Sequence, residues 1–455
     1  MSNKARRMLV LLLIILKEAG PTAACSSSCS WSDCYSSCTQ CVCRSRGLSG
    51  VPQDLPTDIT VLNLRYNVIT TLNQSDFSRY RSLSRLHLDY NRISMIHNKT
   101  FHNLTSLTEL FLFYNRLTTL PADIFEGLGN LQRLNLHNNQ LTSLPADIFE
   151  GLGNLRFLYL DNNQLTSLPA DIFEGLGNLR FLYLYNNQLI SLPAGIFVGL
   201  GNLEKLHLYS NNIHSIEAGT FNDTTKLNYL ELGYNSISTI TADTFGNLLQ
   251  LQTLRLSGNN ISNFPVEALS NLQISALSEL TFSLDNNQLE TLPLMAYDIL
   301  ASISEVVIYF NPWQCDCRMV PFRQRMNGSY RFESQITCAG PANLRWQLLR
   351  DVNPEYLICE EKTPVYSTSS TESNIGPADG GIVLSVPFLA TLGAVLGLLL
   401  IYTIAFAVGC MYKRRQRDPT PQQGFSNTNP TGTSSGHDQI MLQAVGTKCR
   451  NNQSV

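Results

Sequence analysis

The chain has 455 residues, 15% of them charged, 32 basic against 35 acidic, for a formal net charge of −3. That balance leaves no broad basic surface for phosphate contacts, so nucleic acid is excluded as a partner. Twelve cysteines and two long apolar runs, one near each end, argue against a cytosolic enzyme.

In chain order, Lys4, Arg6 and Arg7 precede the apolar stretch Met8 to Leu16, and the small residues Ala23 and Ala24 follow. This is the layout of a secretory signal peptide, residues 1–24, cleaved before Cys25. Cys25, Cys29, Cys34, Cys38, Cys41 and Cys43 crowd the next segment, 25–57. In an oxidising compartment they predict a disulfide-bonded cap rather than a zinc site, and six cysteines permit about 15 connectivities.

From residue 58 to 310 the pattern L-x-x-L-x-L-x-x-N-x-L recurs. Its asparagines are Asn67, Asn91, Asn115, Asn139, Asn163, Asn187, Asn211, Asn235 and Asn259, each 24 residues after the last, with Asn287 and Asn311 completing the series. This period identifies a leucine-rich-repeat horseshoe, an α/β solenoid in which each L-x-L forms one strand of a parallel concave sheet. The asparagines satisfy backbone groups of their own and neighbouring turns, and Phe125, Phe149, Phe173, Phe197, Phe221 and Phe245 fill the core. The step between Asn259 and Asn287 carries four extra residues, so the register over 270–285 is the least determined by pattern.

Residues 311–360 hold Asn311-Pro312-Trp313, Cys315-Asp316-Cys317, Cys338 and Cys359, a second cysteine-rich cap. A polar stalk, 361–381, leads to an uncharged run ending at Tyr412, followed by Lys413, Arg414, Arg415 and Arg417. A span over 382–412 with its basic flank inside predicts a single-pass type I plasma-membrane protein with an extracellular amino terminus. The competing assignment, a glycolipid-anchor signal, calls for the apolar run to end the chain, and 43 residues follow it here. The tail, 413–455, is polar, unpatterned and too short for a catalytic domain, so signalling calls for a partner chain.

The segment Asn311-Pro312-Trp313…Cys315-Asp316-Cys317…Cys338…Cys359 resembles the carboxy-terminal cap of extracellular leucine-rich-repeat proteins, which implies the pairs Cys315–Cys338 and Cys317–Cys359. The spacing of Cys34, Cys38, Cys41 and Cys43 is similar to the matching amino-terminal cap and implies Cys34–Cys41 and Cys38–Cys43; Cys25 and Cys29 stand outside that pattern and are assigned to each other. The wording L-T-S-L-P-A-D-I-F-E-G-L-G-N-L, beginning at Leu141, resembles the repeats of the variable lymphocyte receptors of jawless vertebrates. That resemblance implies antigen recognition. The span and tail depart from the glycolipid anchor usual in those receptors.

Neighbouring repeats show where the chain varies. Residues 141–164 and 165–188 differ only at Asp161 against Tyr185. Residues 117–140 and 141–164 differ at five positions, and three of them, Arg133/Phe157, Asn135/Tyr159 and His137/Asp161, are the outward positions of the strand. Drift would fall on the tolerant convex loops as well, so the concave face is the predicted working surface. Its candidate ligand-binding residues are Phe111, Phe113, Arg133, His137, Phe157, Tyr159, Asp161, Phe181, Tyr183, Tyr185, Lys205, His207, Tyr209 and Tyr229, with Glu231 among them. Such an aromatic field is typical of protein recognition. Sequons at Asn73, Asn98, Asn103, Asn222, Asn260 and Asn327 avoid the stretch between Leu104 and Phe221.

No catalytic motif, metal spacing or cofactor fingerprint is present, and none is predicted. The expectation is a cell-surface receptor of innate-immune type that binds a protein antigen or a microbial glycan or lipid through the concave face. An adhesion or developmental receptor for a host protein is the alternative, and a secreted or anchored structural matrix protein a third class.

Overall fold

In each turn two leucines flank one residue, and a strand sends alternate side chains to opposite faces. Leu158 between Phe157 and Tyr159 is the recurring case: the leucine is fully buried and its neighbours are half-exposed. A computed structural model describes residues 29, 39–270, 272 and 278–359. The predicted signal segment, stalk, membrane span and tail lie outside the described residues. Among the described residues no helix is long and apolar enough to cross a membrane.

Twelve short strands form one parallel sheet in chain order. They are β1 (Gln40–Val42), β2 (Val61–Asn63), β3 (Arg85–His87), β4 (Glu109–Phe111), β5 (Arg133–Asn135), β6 (Phe157–Tyr159), β7 (Phe181–Tyr183), β8 (Lys205–His207), β9 (Tyr229–Glu231), β10 (Thr253–Arg255), β11 (Thr281–Ser283) and β12 (Glu305–Val307). From β2 to β10 each residue pairs with the one 24 positions on, as Phe157 does with Phe181. The four-residue insertion is absorbed before β11, because Thr253 pairs with Thr281 and the ladder then resumes.

The asparagines bind the turns to one another. Asn163 donates to the carbonyls of Leu160 in its own turn (3.0 Å) and Leu136 in the previous one (3.1 Å), and its Oδ1 accepts from the Leu141 amide (3.1 Å). The residue before each asparagine sits at positive φ, 52° to 57° at Tyr66, Tyr90, Tyr114 and Tyr234, which turns the chain off the sheet. Behind the strands the phenylalanines stack from Phe125 to Phe245 with centroids 5.9–6.4 Å apart, all nearly inaccessible to solvent. Each such side chain contributes about 1.5–3 kcal/mol of burial.

A solenoid exposes its core at both ends unless capped. At the carboxy-terminal end Trp313 is wholly buried, Cys315 is bonded to Cys338, and Cys317 to Cys359. The Gln335 side chain covers the outer edge of β12, donating to the Val306 carbonyl (2.9 Å) and accepting from the Ile308 amide (2.7 Å). Buried Glu333 accepts from the Tyr297 hydroxyl at 2.9 Å and so ties the cap to the helix Leu294–Ala301.

At the amino-terminal end β1 adds Cys41 to the row of inward side chains, opposite Leu62. Two expected pairs are corrected here. Cys43 is bonded to Cys29, with Cα atoms 4.3 Å apart, so neither Cys38–Cys43 nor Cys25–Cys29 forms. The reason is placement: Cys43 leaves β1 pointing into the solenoid, where Cys29 is also buried, and each sulfur makes one bond. Cys25, Cys34 and Cys38 lie outside the described residues, so the expected Cys34–Cys41 pair does too.

Candidate ligand-binding face

The outward residues of the sheet form three files running across the strands. The first file is the leading strand residue, including Arg133, Phe157, Phe181, Lys205 and Tyr229. The second is the trailing strand residue, including Phe111, Asn135, Tyr159, Tyr183, His207 and Glu231. The third lies two residues past each strand and contains Phe113, His137, Asp161, Tyr185 and Tyr209.

Parallel register brings these side chains together. Phe157 and Phe181 stack at 4.8 Å with nearly parallel planes, and Tyr159 and Tyr183 do the same. The second file continues through Tyr183 to His207 (4.7 Å), and His207 reaches across to Tyr229 (4.7 Å). Phe113 stacks on His137 (4.5 Å), which meets Tyr159 edge-on (6.4 Å). Phe111 stacks on His87 and Tyr209 leans on Tyr234 (5.1 Å). The guanidinium of Arg133 lies over Phe157, and the ammonium of Lys205 over Tyr229. Stacking spends little side-chain freedom, so the surface is preorganised.

Burial sets the protonation states. It holds His137 and His207 down to about 4, so both imidazoles are neutral at physiological pH. Burial pushes Tyr229 up to about 12 with Glu231 beside it, and also raises Tyr159, Tyr183 and Tyr185. Glu231 is raised by burial, against the Gly233 amide and Arg255.

The structure differs from the sequence expectation in three places. Asp161 was expected to face outward from a strand. It lies past β6 and is 2% exposed, because Asn162 and Tyr185 close over its carboxylate. His137 likewise lies beyond its strand. A further aromatic cluster lies outside the expected site: Tyr66, Tyr90 and Tyr114 stack at 4.4 and 4.5 Å. They occupy the position before the ladder asparagine in three consecutive turns, a period legible in the sequence. Next to them Asp89 receives Arg65 at 2.5 Å and His87 at 3.5 Å.

Of the sequons, Asn73, Asn98, Asn222, Asn260 and Asn327 are exposed and Asn103 is half-buried; none lies in a strand of the sheet. Asp316, Cys317 and Cys359 come close together, but both sulfurs belong to the disulfide and offer no thiolate to a metal.

A repeating strand, an asparagine ladder and two disulfide-bonded ends define one architecture, and a family model described as "Leucine rich repeat" matches residues 42–93, 57–117, 81–141, 107–165, 158–211 and 201–261. The chain is a leucine-rich-repeat protein. It is similar to the platelet glycoprotein Ib beta chain of Rattus norvegicus, with 37% identity over 14% of this chain and 33% of that one. The match thus spans about a third of that relative. The Toll chain of the Toll–Spatzle complex, described as a molecular hub in Drosophila development and innate immunity, aligns with a TM-score of 0.51 and 25% identity over 67% of this chain and 49% of that one. A chain of an octameric complex of Latrophilin 3, Unc5D and the FLRT2 leucine-rich repeats aligns with a TM-score of 0.51 and 25% identity over 72% of this chain and 98% of that one.

Proposed function

We propose that this leucine-rich-repeat protein is a cell-surface recognition receptor of innate-immune type, anchored by one membrane span, that binds a protein antigen or a microbial surface component on its concave face. The observation that carries it is the stacked aromatic field from Phe113 to Tyr229, half-exposed on a rigid sheet. Exposed aromatic fields of this breadth on soluble surfaces mark binding sites. Toll, a structural neighbour, is described in innate immunity and in complex with a protein, Spatzle, which supports a protein partner. The FLRT2 complex supports the second reading, adhesion to a host protein.

The experiment displays the full chain on cells and presents bacteria and host cells to it, beside a Tyr159→Ala/Tyr183→Ala double variant. Capture of bacteria that drops at least tenfold in the double variant, with unchanged surface display, is expected. Capture of host cells alone favours the adhesion receptor. Equal capture by the double variant removes the aromatic field as the site.

A further inference from the structure

The carboxylates of the concave face fall into two kinds. Three have a cation beside them: Asp89 has Arg65, Glu109 has Arg85 and Arg133, and Glu231 has Arg255 at 3.6 Å; half-buried Asp285 has none among the described residues and accepts from the Ser257 hydroxyl at 2.6 Å. Asp161 is more buried than most of these, yet no basic side chain lies within ion-pair distance of it among the described residues. Its carboxylate accepts from a neutral donor, the Asn162 side-chain amide at 2.7 Å, with Tyr185 beside it. A buried carboxylate without a counter-charge is costly and is ordinarily paired.

The fold does not need a carboxylate there. The next repeat is identical at its other 23 positions and carries Tyr185 in the same place. The surroundings suit a cation instead. Tyr159, Tyr183 and Tyr185 all lie close enough to feel the charge of Asp161, and the Tyr159 and Tyr183 rings stack in the file beside it. Aromatic walls around an anion are the chemistry that recognises a guanidinium or ammonium.

We infer that Asp161, framed by Tyr159, Tyr183 and Tyr185, is an anchoring subsite for an arginine or lysine side chain of a protein partner. The partner's cation supplies the missing counter-charge. It enters past the half-exposed Tyr185 ring, which turns aside as it does so. Anionic lipids and acidic glycans are disfavoured at this spot for the same reason. The inference rests on the concave face being the working surface.

The test uses the purified full chain in detergent and three probes: hexa-arginine, hexalysine and hexaglutamate peptides. Both basic peptides are expected to bind and hexaglutamate not. Asp161→Asn and Asp161→Tyr are each expected to weaken basic-peptide binding by about tenfold or more, while Asp147→Asn on the convex side changes it less than about twofold. Asp161→Tyr repeats the residue of the next turn, so its fold has a precedent within the chain, and a cooperative thermal melt no lower than that of the unaltered chain verifies it. Failure of either basic peptide to bind, or undiminished binding in both Asp161 variants, overturns the subsite. If the Tyr159→Ala/Tyr183→Ala variant still loses binding in the second case, the face stands and only the subsite falls. If that variant binds normally too, both fall.

Discussion

Asp161 is a single side chain whose burial has a measurable cost. Burial pushes its carboxyl up to about 6 from an ordinary 3.8, against the opposing hydrogen bonds of Tyr185 and Asn162. Below about pH 4 the group is protonated in both folded and unfolded chains and costs nothing. Between there and pH 6 the native state keeps a proton that the unfolded chain has lost, so stability falls as pH rises. Above 6 the loss is complete, on the order of 3 kcal/mol. Asp161→Asn removes this titration. Urea unfolding is therefore expected to give matching stabilities near pH 4 and a variant more stable by up to about 3 kcal/mol at pH 7; equal stabilities at both pH values would show that the carboxylate is solvated. The sequence made position 161 conspicuous, since it alone separates two repeats. It could not show burial, because that depends on Tyr185 one turn on and Asn162 alongside folding over the carboxylate.

At the scale of one turn, the element that joins neighbours is the asparagine. Asn163 serves two carbonyls and one amide at once, all buried. Asn163→Ala strands all three where water cannot reach, and each such group costs about 1–3 kcal/mol. A loss of about 3 kcal/mol or more is expected from the denaturant midpoint, and a change below about 1 kcal/mol would mean that the neighbouring turns hold register without it. This level was the most legible in the sequence. The 24-residue period placed strands β2 to β10, because L-x-L has one inward residue and a parallel ladder then fixes its register, whereas β1 lies in the segment read as a cysteine cap. The third file was less legible. The strands are three residues long, so Phe113, His137, Asp161, Tyr185 and Tyr209 lie on the turn that follows, where alternation no longer sets direction. The amino-terminal pairing was illegible for another reason: cysteine spacing records neither the direction in which a strand leaves the sheet nor which sulfur waits there.

At the scale of the whole molecule, a solenoid is stabilised by contacts between successive turns. Residues 165–188 repeat 141–164 with one substitution, so their removal joins surfaces that already match. Deleting 165–188 is expected to leave a folded chain with both carboxy-terminal disulfides and a thermal midpoint lower by only a few degrees. Its ligand capture is expected to fall at least tenfold, because Phe181, Tyr183 and Tyr185 are gone. A deletion variant that aggregates would show that the curvature of the full array, not nearest-neighbour packing, sets its stability. The cap at Gln335 has a consequence of its own. A parallel sheet with a bare final strand is a growing end, ready to accept a strand from another copy and extend without limit. One glutamine side chain imitates the strand that is not there, satisfying the Val306 carbonyl and Ile308 amide together. At that end one side-chain amide occupies the backbone groups with which a strand of another copy would otherwise pair.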